Sequence, residues 1–193
     1  MVAWLLDPGG EHGMGRGFLD PFAGLLAQAG EPRLQEALQC SKDVVVHTEE
    51  TSGRSRYDIT IHLPGLKCVI ENKIKSIGGQ SQLKKYEAGG NALVALGFSD
   101  MSYAPDVVKQ GFPLLTYRDV LGILKHLQFP ATEFSALIRH YVAFLERELH
   151  ILSLVDECYR DGRMERHGEV NEQFTTGLRR SENDRRFLNL YYI

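Results

Sequence analysis

Between Arg56 and Lys73 polar and apolar residues alternate on both sides of a Pro64-Gly65 pair. Alternation at a period of two is the pattern of a half-buried strand, and a turn-forming pair between two such runs predicts a β-hairpin with strands at 56–63 and 66–74. With Pro64-Gly65 at the tip, residues whose numbers sum to 129 face each other, so Asp58 lies opposite Glu71 and Arg56 opposite Lys73. Directly opposed Cβ atoms stand roughly 4.5–5.5 Å apart. Alternation assigns Arg56, Asp58, Thr60, Lys67, Val69, Glu71 and Lys73 to one face, and Ile59, Ile61, Leu63, Cys68, Ile70 and Ile74 to the other. One face is apolar and the other is chemical. A proline first at the tip suits a type I or II turn, whereas tight hairpins favour the primed types, and a one-residue bulge would break this pairing.

Around the hairpin the pattern predicts a helix over about 15–39, a strand at 43–49, and a helix near 79–88 closed by Gly89-Gly90. A continuous apolar run at 92–98 reads as a buried strand, followed by a short strand at 113–116 and further helices. Phe134, Leu137, Ile138, Tyr141, Phe144, Leu145 and Leu149 follow helical spacing, which marks a core or interface stripe. The fold class is therefore α/β, a mixed sheet flanked by helices. Residues 1–150 read as one domain. Residues 151–193 read as a polar extension, either an exposed helix, a linker or a partly disordered segment, which ends in the apolar aromatic cluster Phe187 to Ile193. Such an end is covered by its own domain or by a partner, so a homodimer or a protein partner is expected there.

Composition adds bounds. At 193 residues and 43% hydrophobic content, the chain can bury a real core. No apolar run approaches the ~18 residues of a membrane span, and no secretory signal is visible. Cys40, Cys68 and Cys158 are odd in number and scattered, which points away from a disulfide framework or a zinc cluster and towards a reducing cytoplasm. A net charge of −3 supplies no global basic footprint for nucleic acid. Local charge remains available, since Arg54, Arg56, Lys67, Lys73, Lys75, Lys84 and Lys85 cluster around the hairpin. The alternative for Lys84 and Lys85 is a solvated helix face.

The chemistry is concentrated at the open end of the hairpin. Two opposed carboxylates repel each other, and a protein that keeps them either raises one pKa or binds a cation between them. Hard oxygen ligands favour magnesium or manganese. Such an ion would polarise a phosphoryl oxygen and lower the pKa of bound water, with Lys73 orienting that water or neutralising charge growing on phosphorus. The alternative is an ordinary solvated face on which Asp58 pairs with Arg56 and Glu71 with Lys73. The glycine-rich stretch from Gly9 to Gly17 invites a phosphate-loop reading, but it lacks the Gly-Lys-Ser/Thr ending.

On the expected helix after the hairpin, Gln82 and Tyr86 are four apart and share a face. With Asp58, Glu71 and Lys73 they make the chain resemble the PD-(D/E)XK nuclease superfamily, in particular the RecB-like and lambda-exonuclease-like branch whose catalytic hairpin is followed by a Gln-x-x-x-Tyr helix. Ala3 to Pro8, His12-Gly13 and Phe18-Leu19 extend the resemblance upstream, to a span of roughly residues 3–125.

The resemblance implies an α/β/α sandwich with a restriction-endonuclease-like core and a metal-dependent nuclease acting on nucleic acid, most naturally DNA, in phage defence, DNA processing or restriction. It implies that Asp58 and Glu71 hold Mg²⁺ or Mn²⁺, that the Asn72 carbonyl completes the shell, and that Lys73 assists the attacking water. Gln82 would steer Lys73 or the substrate phosphate, with Arg56, Lys75, Lys84 and Tyr86 meeting the nucleic acid. His12 takes the place of a metal-binding histidine, with Glu11, Glu49 and Glu50 as other oxygen donors. The same fold also serves proteins without catalysis, so a nuclease-fold binding module is the competing expectation.

Overall fold

The computed structural model describes residues 1–52, 55–73, 90–98 and 112–160. Five strands form one sheet in the order β1 (Val45–Ser52), β2 (Ser55–Leu63), β3 (Leu66–Lys73), β4 (Ala92–Gly97) and β5 (Leu114–Thr116). The first three are antiparallel neighbours, and β3, β4 and β5 run parallel. The sheet is mixed, as expected. The buried residues of β4 alternate between the two faces, and all six of its positions are buried, which explains its unbroken apolar sequence.

The β2–β3 register is the expected one from Ile59 opposite Ile70 to Leu63 opposite Leu66, but the ladder stops there, and the expected pairs Asp58–Glu71 and Arg56–Lys73 are not part of it. Gly65 has φ of 78°, the left-handed value that the third residue of a type II turn requires. Pro64 and Gly65 thus close the hairpin in two residues, and no bulge intervenes between the tip and Ile59.

Helices α1 (Val2–Leu6), α2 (Leu19–Gln28), α3 (Arg33–Cys40), α4 (Tyr117–His126) and α5 (Ser135–Arg160) send apolar side chains to the same sheet face. Leu5, Leu6, Phe18, Phe22, Ile61, Ile70 and Leu96 lose all solvent contact there. Each such side chain contributes roughly 1.5–3 kcal/mol of transfer free energy. The other sheet face carries a smaller cluster of Tyr57, Val69, Leu93 and Ala95 backed by Phe112 and Leu114.

Two expected elements differ and one helix was not expected. The helix expected over 15–39 is two helices, because Gly30 adopts φ of 100° and Pro32 starts the next helix, so the chain turns between them. The strand expected at 43–49 lies at Val45–Ser52. Helix α1 is five residues long, too short for a periodic pattern to announce it, yet it buries Val2, Ala3, Leu5 and Leu6. The apolar stripe of α5 is divided: Ile138, Leu145 and Leu149 are buried, while Leu137 and Phe144 are exposed at 48% and 46%. Helix α5 runs on past residue 150 to Arg160. The expected helix at 79–88 and the aromatic C-terminus lie outside the described residues.

Helix α4 is fixed at its start by a capping box. The Thr116 hydroxyl accepts from the Asp119 amide, and the Asp119 carboxylate accepts from the Thr116 amide at 2.7 Å. Caps of this kind contribute about 1 kcal/mol, and this one aims Tyr117, the first helical residue, into the core.

Candidate functional site

The open end of the hairpin is irregular in a way the alternation does not anticipate. Strands β1 and β2 pair from Val45–His62 to Thr48–Ile59 and again from Glu50–Tyr57, but Glu49 and Asp58 between them are unpaired in the ladder. Glu49 has φ of 57°, a left-handed backbone that costs a residue with a side chain about 1 kcal/mol or more. Two neighbouring carboxylates diverge around it.

Glu50 turns to the side of Thr60, His62 and Lys67. Its carboxylate takes hydrogen bonds from the Thr60 hydroxyl at 2.5 Å and Lys67 Nζ at 2.5 Å, and meets His62 Nε2 at 2.7 Å. Lys67 Nζ also lies 4.3 Å from the centre of the Tyr57 ring. Burial opposes ionisation of Glu50, yet the bonds from Lys67, Thr60 and His62 outweigh it and bring its pKa down to about 2.

Asp58 instead lines a cavity of about 510 Å³ together with Thr48, Ile59, Asn72, Phe98 and Tyr117. Its Oδ2 accepts the backbone N–H of Asn72 at 2.8 Å, which draws the carboxylate of β2 against β3 one residue from Glu71. No hydrogen bond from a described residue reaches Oδ1. The face assignment from strict alternation therefore needs correction for Asp58: the break at Glu49 brings it into the cavity beside Asn72, instead of onto the face of Thr60 and Lys67.

Glu71 and Lys73 sit two apart on β3, and the Lys73 ammonium pairs with Glu71 Oε1. The Glu71 side chain is 1% exposed and that of Lys73 15%. This pair realises one half of the salt-bridge expectation. The other half differs, because Arg56 reaches Glu49 at 2.6 Å, both side chains being largely exposed.

Asn72 links the carboxylates to the helical layer. Its side-chain oxygen accepts from the Tyr117 hydroxyl at 3.0 Å. Burial pushes the Tyr117 phenol up to about 12, and the nearby Asp58 charge adds to this against the opposing bond to Asn72. The phenol stays protonated and donates.

His12 has a different task from the one expected. It is fully buried, its Nδ1 accepts the Met14 amide at 3.0 Å, and its Nε2 lies 2.9 Å from the Asp7 carbonyl. With Nδ1 accepting, the proton is on Nε2 and donates to Asp7. Both ring nitrogens are spent on the backbone, so His12 offers no lone pair to a metal. The ring also packs edge-on against Trp4, with centroids 5.0 Å apart. Gly10 is needed beside it, since a Cβ there would lie 2.8 Å from the imidazole. Glu11 is exposed on the same loop.

Lys75, Gln82, Lys84 and Tyr86 lie outside the described residues. Among the described residues no group of three or more His, Cys, Asp and Glu side chains converges as a metal site. At the hairpin Asp58 presents a carboxylate oxygen, a donor that suits a hard divalent cation, to a cavity that Glu49 and Asn72 also line, whereas Glu71 and its partner Lys73 are not among the lining residues.

The aromatic residues of the cavity carry no motif. Tyr117 follows an expected strand, and Tyr141 and Phe144 read as part of a core stripe. Only the fold brings them to Asp58. No helix among the described residues is long and apolar enough to cross a membrane.

Neither the curated proteins nor the solved structures compared with this chain gave a match. A family model does match, over residues 1–101, a span that includes α1, the hairpin and β4. By that match the chain belongs to the PD-(D/E)XK nuclease superfamily.

Proposed function

We propose that this chain is a metal-dependent nuclease that hydrolyses phosphodiester bonds in DNA. The observation that carries the reading is the 2.8 Å bond from the Asn72 amide to Asp58, which draws one carboxylate to the backbone beside the buried, lysine-paired Glu71. Superfamily membership supplies the reaction class.

Asp58 and Glu71 are the residues that would hold Mg²⁺ or Mn²⁺, with the Asn72 carbonyl as a further oxygen. When bound, the ion supplies Lewis-acid polarisation of a phosphoryl oxygen and a more acidic water. Lys73, paired with Glu71, would offer positive charge where a pentacoordinate phosphorus accumulates negative charge. Asn72, held by Tyr117, keeps the two strands in register at this end. Gln82 would orient Lys73 or the phosphate, and Arg56, Lys75, Lys84 and Tyr86 would meet the nucleic-acid backbone. His12 is left out of the metal shell because its nitrogens are occupied.

The Glu71–Lys73 pair also favours a second reading, a nuclease-fold module that binds nucleic acid or protein without cutting, since the charges are balanced internally. Plasmid cleavage with manganese separates the two. Lys73→Gln removes the charge while its amide can still donate to Glu71, so the fold is retained. Loss of cutting by about 100-fold or more is expected. Cleavage at the wild-type rate by Lys73→Gln would overturn the nuclease mechanism, and wild-type protein that cuts no DNA would favour the module.

A further inference from the structure

The cavity at Asp58 has two aromatic pairs in its wall. Phe98 and Tyr117 stack with centroids 4.6 Å apart and 28° between their planes, and Tyr141 and Phe144 lie 6.4 Å apart at 13°. The first pair is buried in the core. The second belongs to α5, and Phe144 remains 46% exposed although three other residues of the same stripe are buried. Burial, with the neighbouring Tyr117, pushes the Tyr141 phenol up, so this wall carries no charge.

A volume of about 510 Å³ falls in the range of roughly 300–1,000 Å³ typical of sites for small organic groups. Its contents are unusual for such a site. Aromatic side chains line one part, and Asp58, Asn72, Thr48 and the Arg56-paired Glu49 line another. The Asn72 oxygen is taken by Tyr117, and no hydrogen bond to a described residue uses its amide nitrogen, which leaves N–H donors for an acceptor. A planar heterocycle joined to a phosphodiester matches this division: the ring stacks on an aromatic face and the linkage meets the polar end.

We propose that this cavity takes an unpaired nucleotide, so that the substrate class is single-stranded nucleic acid, with Phe144 and Tyr141 as the stacking wall. The inference rests on the nuclease reading for the kind of polymer bound. A base inside a duplex must first be unstacked and unpaired, at a few kcal/mol, to enter, whereas a single strand presents its bases with little of that cost. Phe144 therefore acts in selecting the strand and has no part in hydrolysis.

The test is fluorescence anisotropy with a labelled single-stranded DNA oligonucleotide, the same sequence as a duplex, and a single strand of abasic residues, in calcium or in EDTA. Wild-type protein is expected to bind the single strand more tightly than the duplex. Phe144→Ala should weaken single-strand binding about five- to tenfold, the loss of one base–aromatic stack, and leave duplex and abasic binding unchanged. Phe144→Leu retains apolar bulk and should show the same loss, which separates stacking from folding. Equal losses on abasic and normal strands, no loss on the single strand, or a preference for duplex would overturn the inference. Because binding is read without cleavage, a protein that binds single strands through Phe144 but cuts nothing would leave this inference standing while the catalytic reading fell.

Discussion

Glu50 and Asp58 lie on neighbouring strands on either side of one backbone irregularity, and they have opposite fates. Glu50 meets three partners from its own sheet, and Asp58 takes one backbone amide and opens on a cavity. Both are acidic residues in alternating segments, with basic residues close in sequence. What distinguishes a candidate site from a structural ion pair is how much of the carboxylate's capacity the fold consumes. His12 belongs with Glu50 in this respect, since its two nitrogens are consumed by Asp7 and Met14.

The largest effect on stability is therefore expected at His12. His12→Ala would leave a void beside Trp4 and strand the Met14 amide and the Asp7 carbonyl, a loss of about 3 kcal/mol or more in urea unfolding. Metal affinity measured on the folded variant should be unchanged. A variant of wild-type stability that lost metal affinity would move His12 to the other side of the comparison.

A smaller effect, dependent on pH, is expected at Glu50. Its pKa in the folded protein, about 2, lies below the ordinary 4.5, so its contribution is fully present above about 4.5 and is lost as pH falls towards 2. The size is at most about 3 kcal/mol, reduced by the partial exposure of the pair. Glu50→Gln should flatten the stability profile over that window, and an unchanged acid limb would show that the network with Thr60, His62 and Lys67 is not what ionises Glu50.

The hairpin was legible in the sequence because its information is local. Pro64-Gly65 fixes the turn, alternation fixes the register, and Ile59 to Leu63 pair with Leu66 to Ile70 as that arithmetic requires. The separation of Glu50 from Asp58 was not legible, because it depends on a left-handed residue, Glu49, whose type does not favour that conformation. The break between α2 and α3 had a local signal in Gly30 and Pro32, overridden by the apolar periodicity on both sides of it. His12 illustrates the converse limit: a histidine in a glycine-rich loop has the composition of a ligand, and only the distances to Asp7 and Met14 reveal a clasp. The aromatic lining comes from Phe98 just after β4, from α4 and from α5, and is assembled by tertiary packing alone, so no spacing could have announced it.

The Asp58 carboxylate on β2 is expected to hold a divalent cation, and the Glu50 carboxylate on β1 is not. Calorimetric titration of manganese into wild type, Asp58→Asn and Glu50→Gln tests it most directly. Asn at position 58 can still accept the Asn72 amide, so the local structure is preserved while the charge is removed. Saturable binding by wild type and Glu50→Gln, abolished in Asp58→Asn, is the predicted result; a titration of Asp58→Asn indistinguishable from wild type would contradict the account.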